Sequence, residues 1–414
     1  QRLTEKLEQD AQAASDTFDA TIAKLDKDNS TSIAKIESTY NDTIATVDSD
    51  ESQTNERLAQ RWQTEFTDFY ADAQQQNEST HEAHPSWTVD WSSWDPRTTA
   101  CDQFPVGNFS VDLTAIGGDL PTGENLQLNG ESTLTLPLCA TLPRDASILI
   151  SSSGKLRDQG IALIQHSMLR VLTSIPPGKA KFILVDPVGL GQSFAGVLHL
   201  ADYEESQLLD RAWTDARHIE IQLATLTEHM ETVIQKYLRN EFESIDHYNE
   251  QAGEIAEAYR FLVIADLPNN FSENAAKRLL SIITSGARCG VHVIIHRDIA
   301  AALPAGIDED TLNRIPMHII EDDGNFCIDD DSLRDLPLTL DTPPSEITTT
   351  QVVKAIGDKA EDTHRVEVPF SVIAPKEDEM WSRSTTDKVA IPLGRSGATK
   401  LQNLTLGRGT AQHA

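Results

Sequence analysis

Residues 1–75 contain neither glycine nor proline, and their large apolar side chains recur every eleven residues. Three rows follow this interval, and a polar side chain interrupts them only at Asn29. The rows are Ile22, Ile33 and Ile44; Ala14, Leu25, Ile36, Val47 and Leu58; and Leu7, Phe18, Asn29 and Tyr40. Eleven residues over three turns correspond to about 3.67 residues per turn, which is close to an undistorted α-helix. The pattern therefore predicts one long helix with a straight or slightly right-handed apolar seam.

The other faces of this helix are acidic, with 17 Asp and Glu against 7 Lys and Arg in residues 1–80. A seam that continues for so many turns favours a coiled coil. The alternative, a helix that packs on the body of its own chain, stays open. We predict a coiled-coil helix over 1–78 that self-associates or binds a partner helix through residues 1–75.

The helical pattern ends in a polar stretch that contains three tryptophans, Trp87, Trp91 and Trp94. Serine and proline residues lie between them, which is typical of a linker. We predict that residues 79–105 form this linker and that its tryptophans dock onto a neighbouring surface.

From residue 106 onward, short apolar runs alternate with amphipathic stretches. The predicted strands are Phe109–Leu113, Ser132–Leu138, Ser147–Ser151, Phe182–Asp186, Phe261–Asp266 and Val291–Ile295, and the predicted helices span about 157–174, 204–257 with a break near the middle, and 273–287. Almost fully apolar strands that alternate with helices predict an α/β fold, in which helices cover both faces of a parallel sheet. We assign this domain to residues 106–335.

After Asp330 the chain becomes rich in proline and threonine, with strand-like pieces at Val366–Ile373 and Val389–Leu393. We predict that residues 336–414 form a linker followed by a β segment.

The composition narrows the range of partners. The chain carries 65 Asp and Glu against 34 Lys and Arg, a net charge of −31, and such a surface repels the phosphate backbone of nucleic acids. Its four cysteines lie far apart, which excludes a disulfide scaffold and suits a reducing compartment. No apolar run approaches the roughly 18 residues of a membrane span. We expect a cytoplasmic chain that reaches a membrane only through partners or through segments outside this sequence.

A candidate phosphate loop lies between the strand at 147–151 and the helix that follows it. The motif Gly-x-x-x-x-Gly-Lys-Ser/Thr uses backbone amides to hold phosphate, a lysine to reach the outer phosphates and a hydroxyl to bind magnesium. Gly154 and Lys155 occupy the expected positions, but Leu149 replaces the first glycine and Leu156 replaces the hydroxyl.

A metal-holding aspartate is expected at the end of a later apolar strand, next to an acid that orients water. Asp266 ends such a strand, but Leu267 and Pro268 follow it where the acid would stand. An ordinary strand-end cap explains Asp266 as well as a vestigial site does. We predict that this chain does not hydrolyse ATP and binds it weakly or not at all.

The order of four segments resembles the FtsK/SpoIIIE family of motor ATPases. The segments are Phe182–Leu190, which contains the Asp-Pro of a strand end; His247–Glu250, with the Tyr-Asn of a helix end; Phe261–Asp266, which corresponds to the Walker B strand; and Ser285–Ile295, followed by His296 and Arg297 where the family has Gln and Arg. The resemblance covers about residues 145–330. It implies a degenerate, RecA-like domain with vestigial nucleotide-binding residues Gly154, Lys155, Asp186, Asp266, His296 and Arg297.

A second resemblance to this family lies at the end of the chain. Ile391–Gly394 and Leu406–His413 are similar to the β segment that precedes the phosphate loop in these ATPases. The resemblance implies that the chain is the front part of a longer protein and ends before an active motor domain. ATP and Mg²⁺ are then expected for that downstream domain, and this chain carries no cofactor.

Three readings of the parent protein stay open. The first is an FtsK/SpoIIIE-like translocase that contacts DNA through the downstream motor, with this chain as its regulatory and assembly portion. The second resembles the multi-ATPase proteins of type VII secretion, which move polypeptide. The third, a coiled-coil scaffold, accounts only for residues 1–75.

We expect no metal site, because His292 and His296 lie on a strand, where this spacing separates two side chains by roughly 13 Å. We also expect no Ser-His-Asp hydrolase, because Gly191-Gln-Ser193 lacks the required elbow.

Overall fold

The computed structural model describes residues 2–203, 208–239, 241–363, 373–375, 377, 380, 382, 384–386, 388–396 and 400–407. The chain divides into two compact units. Unit 1 comprises the residues up to Asp72 together with Thr114–Ser132, and unit 2 comprises Ala73–Leu113 and the residues from Thr133 onward. Among the described residues, no helix is both long enough and apolar enough to cross a membrane.

The helices are α1 (Arg2–Ala83), α2 (Leu113–Gly117), α3 (Arg157–Ser174), α4 (Ala216–Thr232), α5 (Ile245–Ala252), α6 (Glu273–Ser285), α7 (Glu309–Leu312) and α8 (Glu346–Thr363). The strands are β1 (Gln103–Asp112), β2 (Thr133–Thr141), β3 (Ile148–Ser152), β4 (Ala180–Val185), β5 (Ala212–Trp213), β6 (Tyr259–Leu267), β7 (Val291–Asp298), β8 (Met317–Asp322), β9 (Asn325–Ile328), β10 (Leu338–Leu340), β11 (Lys388–Ser396) and β12 (Lys400–Gly407).

The predicted long helix is confirmed, because α1 runs without interruption for 82 residues. In unit 1, the segment Thr114–Ser132 contacts the later turns of this helix. The Gln63 side-chain amide donates hydrogen bonds to the carbonyl oxygens of Asn125 and Gln127, and the Tyr70 hydroxyl donates to the Glu131 carbonyl at 2.7 Å. The apolar rows over residues 3–58 are exposed to solvent.

Unit 2 is built on one ten-stranded sheet with the order β2-β1-β10-β9-β8-β3-β7-β6-β4-β5. The six strands from β8 to β5 run parallel, and β2, β1, β10 and β9 extend the sheet as antiparallel strands. β3, the first six residues of β7, and all of β6 except Arg260 are buried, as near-continuous apolar runs predict for parallel strands. The predicted α/β fold with a parallel sheet is therefore confirmed. β11 and β12 pair as a separate two-stranded sheet, which confirms the β segment near the C-terminus.

The sheet places the predicted strand ends side by side. β4 pairs with β6 in parallel from Ala180 to Val185, so the strands before Asp186 and Asp266 are neighbours, as expected. One strand, β7, separates β6 from β3. The carboxyl ends of these strands lie on the same edge of the sheet, where open α/β folds place ligand crevices.

The helical stretch predicted over 204–257 is wrong in its extent. β5 occupies residues 212–213 and pairs with β4, and Asp215 then begins α4 by accepting hydrogen bonds from the amides of Arg217 and His218. A π-helical turn, Val233–Leu238, ends at Arg239 in the left-handed conformation before α5 begins. Capping by Asp215 and the left-handed Arg239 therefore set the helix bounds.

The α/β body continues beyond residue 335. β10 pairs with β1 and β9 inside the large sheet, and α8 buries Val352, Val353, Ile356 and Ala360. The spacing of these four side chains is helical, whereas the Pro- and Thr-rich composition predicts a linker before the β segment of residues 336–414. Of the predicted strand pieces, Val389–Leu393 lies within β11, whereas residues 366–372 and 408–413 lie outside the described residues.

The predicted docking of the tryptophans is confirmed within unit 2. Trp91 is buried in the main core, and Trp87 and Trp94 pack against it. The guanidinium of Arg170 on α3 lies 3.9 Å from the centre of the Trp87 ring. α1 extends to Ala83, so helical structure enters the stretch expected to be a linker from residue 79.

Candidate vestigial nucleotide site

The candidate phosphate loop is mostly strand. Leu149 to Ser152 belong to β3, which pairs with β7 through residue 152 and with β8 through residue 151. Leu149 is fully buried in the core. Because the parallel ladders on both sides use the backbone of these residues, their amides cannot wrap around a phosphate. The segment that would form the loop is therefore reduced to Ser153 and the 3-10 turn Gly154–Leu156.

A carboxylate from the same chain occupies the start of this turn. The Ser153 amide donates a 2.8 Å hydrogen bond to Oε2 of Glu321 on β8. Gly154 adopts a left-handed conformation with φ of 52°, and Lys155 is exposed. Backbone amides of this kind bind anions, and here the anion is the Glu321 side chain.

A guanidinium covers Asp266. Nε of Arg157 donates to Oδ1 of Asp266 at 2.8 Å, and Nη2 donates to Oδ2 at 2.6 Å, so the pair is bidentate. The Asp266 side chain is 3% exposed and the Arg157 side chain 31%. A β-bulge between Ile264 and Leu267, with Asp266 at φ of 57°, turns this carboxylate out of the regular strand alternation. The bulge therefore aims Asp266 at the start of α3.

His296 completes a buried relay behind this ion pair. Its Nδ1 lies 3.2 Å from Oδ1 of Asp266, and its Nε2 lies 3.0 Å from the Ser152 hydroxyl. Burial raises the pKa of Asp266, but the contacts with His296 and Arg157 outweigh burial and lower this pKa to about 2. Gly160 on α3 leaves room for the imidazole, since a Cβ there would stand 2.9 Å from Cδ2 of His296.

Asp186 serves its own loop. Its carboxylate is buried and accepts hydrogen bonds from the amides of Gly189, Gly191 and Ser193 at 2.8 to 3.0 Å. A Cβ at Gly189 would stand 2.7 Å from Oδ2 of Asp186, so the close approach requires glycine. Both carboxylate oxygens are therefore engaged in shaping residues 187–193.

Arg297 also points to a partner outside the ion pair. Its Nη1 and Nη2 lie 2.8 and 2.6 Å from the two carboxylate oxygens of Glu309, the first residue of α7. Of the six residues assigned to the site, the structure brings Asp266 and His296 into contact. It places Gly154 and Lys155 on the turn before Arg157, and it engages Asp186 and Arg297 elsewhere.

A second serine–histidine–aspartate relay lies next to the first. Ser151 Oγ is 2.9 Å from Nε2 of His318, whose Nδ1 lies 3.2 Å from Asp329. Burial lowers the pKa of His318. The order of groups matches a nucleophilic triad, but Ser151 is buried within β3, where the ladder uses the neighbouring amides that an oxyanion would need. Both relays therefore act as polar ties between strands.

The residues present do not fit Mg²⁺ and a nucleoside triphosphate. A metal at Asp266 would compete with the bidentate Arg157 cation, and a phosphate at the Ser153 amide would meet the Glu321 carboxylate. Leu156 offers no oxygen to a metal, and it packs against the core. The arrangement thus satisfies with its own side chains the charges that a ligand would otherwise satisfy.

Sequence reasoning missed Arg157 and Glu321, the two residues that occupy the site. Their partners lie 109 and 168 residues away along the chain. One signal pointed to Arg157. It is a cation that follows β3, two residues after Lys155. The carboxyl end of β3 lies on the same edge of the sheet as that of β6, which holds Asp266. Glu321 had no such signal, because β8 was not predicted.

Comparison with known proteins gives a limited result. No family model matches this chain, and no curated protein matches it. EssC (ATPases 2 and 3) from Geobacillus thermodenitrificans is similar over 76% of this chain and 60% of that chain, with 12% identity and a TM-score of 0.47. EccC (ATPases 2 and 3) from Thermomonospora curvata, in complex with a signal sequence peptide, is similar over 77% and 57%, with 13% identity and a TM-score of 0.42.

A third similar structure is the pCW3 conjugation coupling protein TcpA with ATPγS. The similarity covers 53% of this chain and 68% of the TcpA chain, with 15% identity and a TM-score of 0.38. This chain spans less than two thirds of the length of the EssC and EccC structures. At these TM-scores the likenesses assign neither a family nor a function.

Proposed function

We propose that this chain is a hydrolysis-deficient module of an FtsK/SpoIIIE-like, ATP-driven translocase, and that it serves assembly and control of an active ATPase domain in the cytoplasm. The observation that carries the proposal is the bidentate Arg157–Asp266 pair, at the carboxyl end of the strand that would hold a metal. A guanidinium in this position neutralises the aspartate permanently, because arginine does not lose its proton in proteins.

The loss of ligand binding follows from the contacts around the turn. Phosphoryl transfer depends on positioning and on charge neutralisation by a metal, and each preorganised polar contact that is lost costs about 2–4 kcal/mol of transition-state stabilisation. Here the phosphate-wrapping amides belong to β3, the hydroxyl is replaced by Leu156, and Glu321 holds the remaining amide of Ser153. The fold is then retained as a rigid surface, which suits an assembly role.

Titration with Mg-ATP tests the proposal. We expect no heat of binding at concentrations up to about a millimolar, where the free energy of binding would be only about −4 kcal/mol, and no release of phosphate. Lys155→Ala should behave as the unchanged chain does, and so should the control Lys359→Ala, which removes an exposed lysine of α8. Micromolar binding that Lys155→Ala abolishes and Lys359→Ala leaves intact would contradict the proposal.

The charge of the chain separates the two translocase readings. A net charge of −31 opposes contact with a nucleic acid backbone, so any DNA contact is left to another domain, whereas a polypeptide-moving parent of the type VII secretion kind needs no such contact. The scaffold reading accounts only for α1.

We therefore expect no binding to a duplex of about 30 base pairs at about 0.15 M salt, measured by fluorescence anisotropy. Lowering the salt should not produce binding, because repulsion strengthens as screening weakens. Submicromolar binding that strengthens at low salt would show that this portion carries a DNA-binding surface.

A further inference from the structure

The seam of α1 remains uncovered over most of its length. Apolar side chains on the three rows retain between 42% and 81% of their surface, and they extend over residues 3–58. They are Leu3, Leu7, Phe18, Ile22, Leu25, Ile33, Ile36, Tyr40, Ile44, Val47 and Leu58. Contiguous apolar surface of this extent marks an interaction site, and a stripe that repeats every eleven residues fits another long helix.

The two borders of the seam differ in chemistry. One border lies beside the row of Ile22, Ile33 and Ile44, four residues further along the chain, and after Thr4 and Ser15 it consists of the acids Asp26, Glu37 and Asp48. The other border lies beside the row of Leu25, Ile36 and Val47, four residues earlier along the chain, and after Asp10 it consists of the hydroxyl residues Thr21, Ser32, Thr43 and Thr54. At about 100° per residue, the borders lie about 65° to either side of the centre of the seam.

We propose that the seam binds a second copy of this chain, parallel and in register, as a two-stranded coiled coil. In a parallel pair, the acidic border of one helix meets the hydroxyl border of the other, so each acidic row faces hydroxyl groups. In an antiparallel pair, identical borders meet, so Asp26, Glu37 and Asp48 would face the same row of acids. Like charges in contact are destabilising, and Lys24 and Lys35 lie on the far side of the helix, where they cannot relieve the repulsion.

Asn29 supplies the register. It is the polar member of the row that contains Phe18 and Tyr40. In register, the two Asn29 amides face each other and can exchange a hydrogen bond, since each amide carries both donors and an acceptor. A shift by one repeat would place each Asn29 against Phe18 or Tyr40 and leave a polar group unsatisfied in the seam. A single asparagine in a coiled-coil core is known to fix register in this way.

The inference concerns the assembly role in the proposed function but does not depend on the nucleotide site. Binding of ATP would overturn the proposed function and leave the coiled coil intact, and a monomeric chain would do the reverse.

Sedimentation equilibrium of the full chain tests for the second copy. We expect a mass twice that of the chain. Ile33→Asp with Ile44→Asp, which places charge in the seam, should weaken self-association at least tenfold. Ala34→Asp with Ala45→Asp makes the same substitutions one residue away, on a face about 130° from the seam centre, and should retain the dimer. A monomer, a larger oligomer, or equal effects of the two double variants would overturn the proposal.

Disulfide cross-linking in the full chain tests the orientation. Leu7→Cys and Tyr40→Cys place thiols near the two ends of one row, and mass spectrometry of the linked peptides separates them from Cys101, Cys139, Cys289 and Cys327. A parallel, in-register pair predicts that each single variant links to itself. Linkage only in a mixture of the two variants, self-linkage of only one of them, or no linkage would overturn the proposal.

Discussion

Arg157→Ala is expected to lower the free energy of unfolding of unit 2 by about 2–4 kcal/mol. Removing one partner of a buried ion pair leaves an uncompensated charge, which typically costs about 3–5 kcal/mol. Here Arg157 is 31% exposed, so water replaces part of its contact and the expected loss is smaller. Urea denaturation followed by tryptophan fluorescence measures the change, because Trp87, Trp91 and Trp94 pack on the core of unit 2.

The matched control is Arg61→Ala on the exposed face of α1. Arg61 pairs with Glu65 at 2.8 Å, but their side chains are 73% and 64% exposed. Such exposed pairs contribute little to stability, because water solvates both charges and pairing restricts two long side chains. Equal losses for the two variants would mean that the Arg157–Asp266 pair stabilises the fold no more than an exposed surface pair does.

The pH dependence of this loss gives a second test. Asp266 has a folded pKa of about 2, below its usual value of 3.8, so its contribution is present above about pH 4 and disappears as the pH falls through 2. Without Arg157, only the contact with His296 still opposes the effect of burial, so the pKa of Asp266 rises. The difference in stability between Arg157→Ala and the unchanged chain should therefore be largest at neutral pH and shrink in acid.

The sequence predicted the parallel core well, because burial on both faces leaves an unmistakable pattern. β3, β4, β6 and β7 are short runs of apolar residues, and no polar alternation competes with that assignment. The eleven-residue rows of α1 were equally informative, since glycine and proline are absent. In these segments the sequence pattern was sufficient to predict the element, because a single requirement dominated each of them: burial on both faces for the strands, and an uninterrupted helical repeat for α1.

The stretch from 204 to 257 shows where local pattern fails. Its residues have helical propensity, but β5 gains backbone pairing with β4, and the Asp215 cap sets the first turn of α4. For α8 the error ran in the opposite direction, because the proline- and threonine-rich composition after Asp330 suggested a linker. Burial of Val352 and Ile356 outweighs the weak helix propensity of threonine.

The site was predictable only in part, because its chemistry depends on contacts between distant elements. The sequence identified Asp266 and His296 as residues at strand ends, but it could not show that Arg157 pairs with Asp266 or that Glu321 accepts a hydrogen bond from the Ser153 amide. A motif match tests residue identity at fixed spacing. Charge satisfaction across the edge of a sheet is a three-dimensional property.

Acid is expected to unfold this chain well above the pKa of its carboxylates, through buried neutral histidines. Burial lowers the pKa of His84, His166, His229 and His292 from 6.5 to about 4. The environments differ: Arg170 adds charge repulsion to His84 and His166, and the centre of the His292 ring lies 5.3 Å from that of Phe261, with the two rings tilted.

The sign follows from proton binding. Between pH 6.5 and 4 the unfolded chain binds a proton at each of these residues, whereas the folded chain does not, so stability is complete above about pH 6.5 and falls with decreasing pH. Each histidine changes the free energy of unfolding by up to about 1.4 kcal/mol per pH unit and by about 3 kcal/mol in total. Four of them amount to about 12 kcal/mol, or roughly 10 kcal/mol once solvent screening at the half-buried His229 is discounted, which is comparable to the whole stability of a typical domain.

We therefore expect an unfolding midpoint near about pH 5, measured by tryptophan fluorescence during acid titration. His292→Phe keeps an aromatic ring beside Phe261 and should reduce the pH dependence of the free energy of unfolding by one histidine's share. His81→Gln is the control, because His81 is exposed on α1 and should leave that dependence unchanged. If His292→Phe and His81→Gln shift the acid midpoint equally, burial of a neutral His292 is not what makes the fold sensitive to acid.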